Sequence, residues 1–209
     1  MKKFLLKVSL ITVASILALV GVCMFCLATF SPSTLARVYD DVGLRYRAKV
    51  YAQKAYEKSN DVSDLVILAN MSIKCSDVDA TYQWTYELIY HKDFASYLET
   101  INNGVGYYDY VASQYVISGY KKSAWKNEVL VATAMKFAKT GYRQANPIEN
   151  LILASYENED LEVLQLILAQ LNFYKNENLC PNESVARLET DIINLEGLIE
   201  RIKTQNNGE

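Results

Sequence analysis

No charged residue lies between Lys7 and Arg37, and Val8 to Phe30 is apolar except for Ser9, Thr12, Ser15 and Thr29. As a helix, these 23 residues would span about 34 Å, enough to cross a hydrocarbon layer of about 30 Å with some tilt. The stretch predicts a single transmembrane helix that puts residues 8–30 in a lipid bilayer. Secretory signal peptides share the basic start of Met1-Lys2-Lys3, but their apolar core usually runs about 7–15 residues. The longer run favours an uncleaved anchor, with cleavage after Ala28 as the alternative.

Lys2, Lys3 and Lys7 flank the amino end of this segment, whereas Arg37 is the only basic residue before Arg45 on the other side. Basic residues are retained on the cytoplasmic side. The expected placement is therefore a single-pass protein of the cell membrane, with a cytoplasmic N-terminus and an extracytoplasmic C-terminal domain. Residues 1–7 form a short basic tail, residues 31–204 the domain, and residues 205–209 a polar end expected to be disordered.

Cys23-x-x-Cys26 falls inside the apolar run, where a redox pair would lack the electropositive, part-exposed setting that favours a thiolate. Cys75 and Cys180 lie beyond it. In an oxidising compartment they could form a disulfide, and two separate thiols are the alternative.

Beyond Ser31 the chain is punctuated by helix starts and stops, with no alternating pattern long enough for a strand. The fold class is all-α. Ser31-Pro32 opens a helix expected to continue to about Lys58, and Asn60-Asp61 breaks it. Helices follow over Ser63–Lys74, from Ala80 to near His91 behind a Ser76/Asp79 capping box, and from Asp93 to Ile101. Others are expected from Gly106 to Ser118 closed by Gly119, and from a Ser123 cap to Lys139 before Thr140-Gly141. Asn146-Pro147-x-Glu149 combines cap, first-turn proline and acidic third residue. The final pair are Leu161–Phe173 and a helix after Pro181. In that last helix Val185, Leu188, Ile192, Leu195, Ile199 and Ile202 repeat at spacings of three and four, a seam that serves packing onto earlier helices or a homodimer. Short connections make neighbouring helices antiparallel hairpins, stacked as a short solenoid or an irregular bundle.

Tyr39-x-x-Val42-Gly43-x-x-Tyr46, with Ala55 twelve residues after Gly43, resembles the Trp-x-x-Leu-Gly-x-x-Tyr opening of a tetratricopeptide repeat. Ser59 stands where that family places a large aromatic, Ile67 where it places a proline, and no second copy follows at the family's period. The resemblance covers about thirty residues. It implies stacked helical hairpins with a concave face that binds protein.

Little in the chain points to a reaction. His91 is the only histidine, at a helix end without a nucleophile motif around it. Asp77 and Asp79, and Glu157, Glu159, Asp160 and Glu162, cluster near helix starts, where the helix dipole favours them. Gly104-x-Gly106 follows a helix rather than a strand, unlike a phosphate loop. No enzyme activity, metal or cofactor is expected. The net charge of -3 argues against nucleic acid as a partner. Charge is nonetheless uneven: Lys121 to Arg143 carries six basic and one acidic residue, and Glu157 to Glu209 four basic and eleven acidic.

The aromatic choice is skewed to 16 Tyr against 6 Phe. Tyrosine joins an apolar body to a polar tip, which suits half-buried packing and ligand grooves alike. Tyr107, Tyr108, Tyr110 and Tyr115 are the candidate binding residues. Two functions follow as expectations: a membrane-anchored adaptor or scaffold for another envelope or membrane protein, and an extracytoplasmic module binding polysaccharide or peptide in a tyrosine-rich groove.

Overall fold

The computed structural model describes residues 2–138 and 146–206. Among them the chain is all-helical, with eleven α-helices and one short 3-10 turn. It divides into two compact units, Met1–Ser76 and Asp77–Glu209.

The N-terminal unit holds α1 (Lys2–Phe30), α2 (Pro32–Asp41), α3 (Arg45–Ser59) and α4 (Val62–Lys74). Helix α1 starts at Lys2, so the basic tail forms its first turns. It is the one helix among the described residues long and apolar enough to cross a membrane, over Ile11–Phe30, by length and composition. No residue of that window is buried in the rest of the chain.

The expected helix from Pro32 to Lys58 is instead two. Gly43 adopts φ +78°, and the N–H groups of Gly43 and Leu44 donate to the carbonyls of Asp40 (2.9 Å) and Tyr39 (2.8 Å). This paired bond pattern closes a helix around a left-handed residue that glycine adopts without a Cβ penalty. The tetratricopeptide-like residues Tyr39 to Tyr46 consequently straddle a turn. Helix α3 packs on both α2 and α4 through Ala48, Ala52 and Ala55, all buried. Small side chains at these spacings let helix axes come close. Lys74 Nζ binds Asp40 Oδ2 at 2.5 Å, tying the ends of α4 and α2, and Lys58 Nζ donates to the Thr29 carbonyl of α1 at 3.3 Å.

The C-terminal unit holds α5 (Val78–Tyr90), α6 (Phe94–Thr100), α7 (Gly104–Lys121), α8 (Asn127–Phe137), α9 (Asn146–Glu157), α10 (Leu161–Asn176) and α11 (Val185–Asn206). Helix α7 is central, packing on α5, α6, α8 and α9. Its core is made of larger residues, among them Leu130, Ile148, Leu151, Leu164, Ile167 and Leu171. From the α11 seam, Leu188, Ile192, Leu195, Ile199 and Ile202 are buried and Val185 packs against the same core. The stripe that would have joined two copies is covered within one chain.

Local chemistry shifts several boundaries. Asp77, rather than Ser76, caps α5 by accepting from Ala80 N at 3.0 Å, while Ser76 is left-handed at φ +54°. Gly119 does not end α7. It lies inside the helix against Trp125, where a Cβ would clash with the ring. Ser123 does not cap α8 but closes α7 at φ +50°, with Ala124 N donating to Gly119 O at 3.0 Å. The expected helix end at Lys139, with Thr140-Gly141, lies outside the described residues. Helix α11 runs to Asn206, into the segment expected as a disordered tail.

Candidate functional site

The four tyrosines expected to share a groove are distributed around α7. A spacing of seven puts Tyr108 and Tyr115 on one face, and Tyr110 falls roughly 160° away from them. Tyr115 is 5% exposed, whereas Tyr110 is 41% exposed. Tyr107 and Tyr108 are half-buried and pack on Phe94 of α6, at centroid distances of 6.4 and 6.3 Å. A groove that stacks a ligand needs ring faces open to solvent, and of these four only Tyr110 is exposed.

Around Tyr115 stands an aromatic ladder. Tyr82 of α5 stacks on it at 5.1 Å, Trp125 meets it edge-on at 5.2 Å, and Phe137 of α8 does so at 5.7 Å. Tyr86 follows at 5.7 Å from Tyr115, and Tyr90 at 4.8 Å from Tyr86. Offset and edge-to-face arrangements at such distances are the favourable ones for aromatic quadrupoles. The ladder climbs from buried Phe137 and Tyr115 to Tyr86 and Tyr90, which are 49% and 55% exposed. Tyr82, Tyr86 and Tyr90 were not singled out in the sequence, yet their spacing of four marks one helix face.

Electrostatics follow the burial. Desolvation first, then hydrogen bonding with Tyr82, pushes the Tyr115 phenol far above the ordinary tyrosine range. Burial raises Tyr108, helped by Tyr90 and the Asp109 carboxylate. Tyr120 is raised by burial and by its bond to Asp160. Lys122 pairs with Asp79 and lies 5.4 Å over the Tyr82 ring.

Two surface hollows lie among the described residues. One, of about 440 Å³, is lined by Tyr120, Lys121, Ser123, Asn158 and Asp160. Its carboxylate already works for the fold, as Asp160 accepts from Tyr120 Oη (3.1 Å) and caps α10 at Val163 N (3.2 Å). The other, of about 540 Å³, is lined by Gly43, Leu44, Arg45, Tyr46, Arg47 and Cys75. No known protein family, curated protein or solved structure matches this chain. Its sites are therefore read from their own chemistry.

Cys75 caps the end of α4 and Cys180 is buried in the C-terminal unit's core; neither is in a disulfide. His91 ends α5, its Nδ1 accepting from Asp93 N at 3.2 Å. Among the described residues, no three His, Cys, Asp or Glu side chains gather as metal ligands would.

Proposed function

We propose that this chain is a single-pass, membrane-anchored helical scaffold that docks another membrane or envelope protein. The amino terminus is cytoplasmic and the helical part extracytoplasmic. One observation carries the reading: Leu17, Leu19 and Phe25 of α1 are 65%, 68% and 70% exposed, while Leu35, Leu68, Leu164 and Leu188 of other helices are buried in cores. An apolar rod uncovered by its own chain is stable only in an apolar medium.

The same reading treats the helical part as a short tetratricopeptide-like stack. It is supported by α2, α3 and α4 packing as sequence neighbours. The protein docks rather than reacts.

The surface edge of the aromatic ladder is where we place the protein contact, since exposed tyrosines suit interfaces that are apolar in body and wet at the tip. The test is site-specific photo-cross-linking from position 83, exposed on the same face of α5, in intact membranes. A single adduct that disappears in the Tyr86→Ala/Tyr90→Ala double variant is expected; adducts unchanged by that variant would refute the assignment.

A second reading is a polysaccharide or peptide module, favoured by the exposure of Tyr86, Tyr90 and Tyr110 along one unit. It predicts that soluble glycan or peptide, rather than a membrane protein, protects these rings from nitration.

A further inference from the structure

We infer that the outer face of α3 is a docking surface for anionic phospholipid headgroups of the bilayer that α1 enters; this rests on the anchor reading above. Arg47, Lys54 and Lys58 are spaced by seven and four residues, which puts them within an arc of about 40° along about 16 Å of helix. All three are exposed, and the buried Ala48, Ala52 and Ala55 fix the helix so that this arc faces outward.

The three cations are held without being neutralised. Arg47 lies 5.9 Å over the Tyr39 ring and Lys54 lies 5.0 Å over Tyr51. Lys58 donates to the Thr29 carbonyl. Among the described residues none of the three forms an ion pair. The acidic groups near that end are already engaged: Glu57 with Gln53 (2.8 Å), Asp64 with Ser59 (2.6 Å), and Asp61 as the cap of α4.

Position selects the partner. The Lys58 contact falls on the last turn of α1, so the basic stripe begins where the apolar helix ends. Tyrosine beside lysine or arginine is the composition of a membrane–water interface, and basic clusters flanking a membrane helix are drawn to anionic lipid. Beyond α1, residues 31–76 carry seven Lys+Arg against five Asp+Glu.

The test uses the full chain in lipid nanodiscs, which leave both faces open, made of phosphatidylcholine alone or with phosphatidylglycerol added. Lysine acetylation is read by mass spectrometry at Lys54 and Lys58, with Lys136 of α8 as internal reference. Acetylation roughly tenfold slower in anionic than in neutral discs is expected, with the difference erased by high salt and reduced by R47E. Equal rates in both discs, with the chain inserted, overturn this inference and leave the anchor standing. Equal protection by inorganic phosphate in neutral discs also overturns it, in favour of a free-phosphate site. A chain that enters neither disc overturns the anchor and this inference together.

Discussion

The two units differ in how they use most of their tyrosines, although each also holds exceptions: Tyr56 is buried in the first, and Tyr86, Tyr90 and Tyr110 are exposed in the second. In the N-terminal unit exposed Tyr46 and half-buried Tyr39 and Tyr51 lie beneath Arg47, Lys49 and Lys54, while α3 meets its neighbours through alanine. In the C-terminal unit Tyr82 and Tyr115 stack in the interior, and a glycine, Gly119, makes room for the Trp125 ring. The difference lies in the volume between helices. An alanine-lined contact such as that of Ala48, Ala52 and Ala55 brings backbones close and leaves little room for rings; of the four tyrosines in this unit only Tyr56 is buried. An interface built on leucine, isoleucine and glycine leaves spaces that only aromatics fill. Residue type alone therefore does not decide burial; the neighbours across the interface do.

The sharpest way to break this contrast is to remove what sets the N-terminal unit apart. Leu17→Arg with Val20→Arg places two charges in α1, each disfavoured by about 2.5–3.5 kcal/mol near a membrane centre. Loss of flotation with vesicles is expected, with unchanged tryptophan emission, because Trp84 and Trp125 both belong to the C-terminal unit. Full flotation of this variant would remove α1 as an anchor.

Next in size is core truncation. Leu164→Ala, at a fully buried site, is expected to lower stability by about 2–5 kcal/mol, read as a shifted denaturant midpoint of tryptophan emission. Its counterpart Leu65→Ala, equally buried in the other unit, should reduce helicity without moving that midpoint. If both variants shift the tryptophan midpoint alike, the units unfold as one body and the comparison loses its basis.

A smaller effect is expected from overfilling the aromatic space. Gly119→Ala drives a methyl into the Trp125 ring and should lower stability by about 1–3 kcal/mol, with a change in near-ultraviolet circular dichroism. An unperturbed aromatic spectrum would show that the ring is not confined.

The smallest effect concerns pH. Tyr115 has a folded-state pKa raised above the tyrosine value of about 10 expected for the unfolded chain. The folded state then holds the proton longer, so this contribution is full below about pH 10 and is lost as pH rises through the higher folded value. Tyr115→Phe should flatten the alkaline decline in stability and remove a late phase of tyrosinate absorbance. An identical decline in the variant would assign it to other groups.

Helix existence was legible in the sequence wherever a cap and a periodic apolar run coincided, as at Asn146-Pro147 and along the α11 seam. Boundaries failed where tertiary contact overrode local habit. Gly119 reads as a stop, but it is a packing site for a ring six residues later. Ser123 reads as a cap, but it adopts the left-handed conformation that more often takes glycine or asparagine. The break at Gly43 was hidden inside a motif that resembles a continuous repeat helix. For the candidate site, crowding of tyrosines drew attention to α7, while helical phase disperses those rings and couples two of them to the i, i+4, i+8 stripe of α5. That stripe was visible in the sequence; its partner helix was not, because pairing of α5 with α7 is a property of the packed unit.

The central claim is that lipid surrounds α1, and thiol accessibility tests it most directly. Cys23 and Cys26 are exposed on the chain itself, so only a surrounding medium can shield them. In membranes carrying the full chain, both should resist a water-soluble maleimide and react after denaturation in detergent, while peptide mapping follows Cys75 of the folded region in the same sample. Labelling of Cys23 and Cys26 in intact membranes as fast as that of Cys75 would contradict the account.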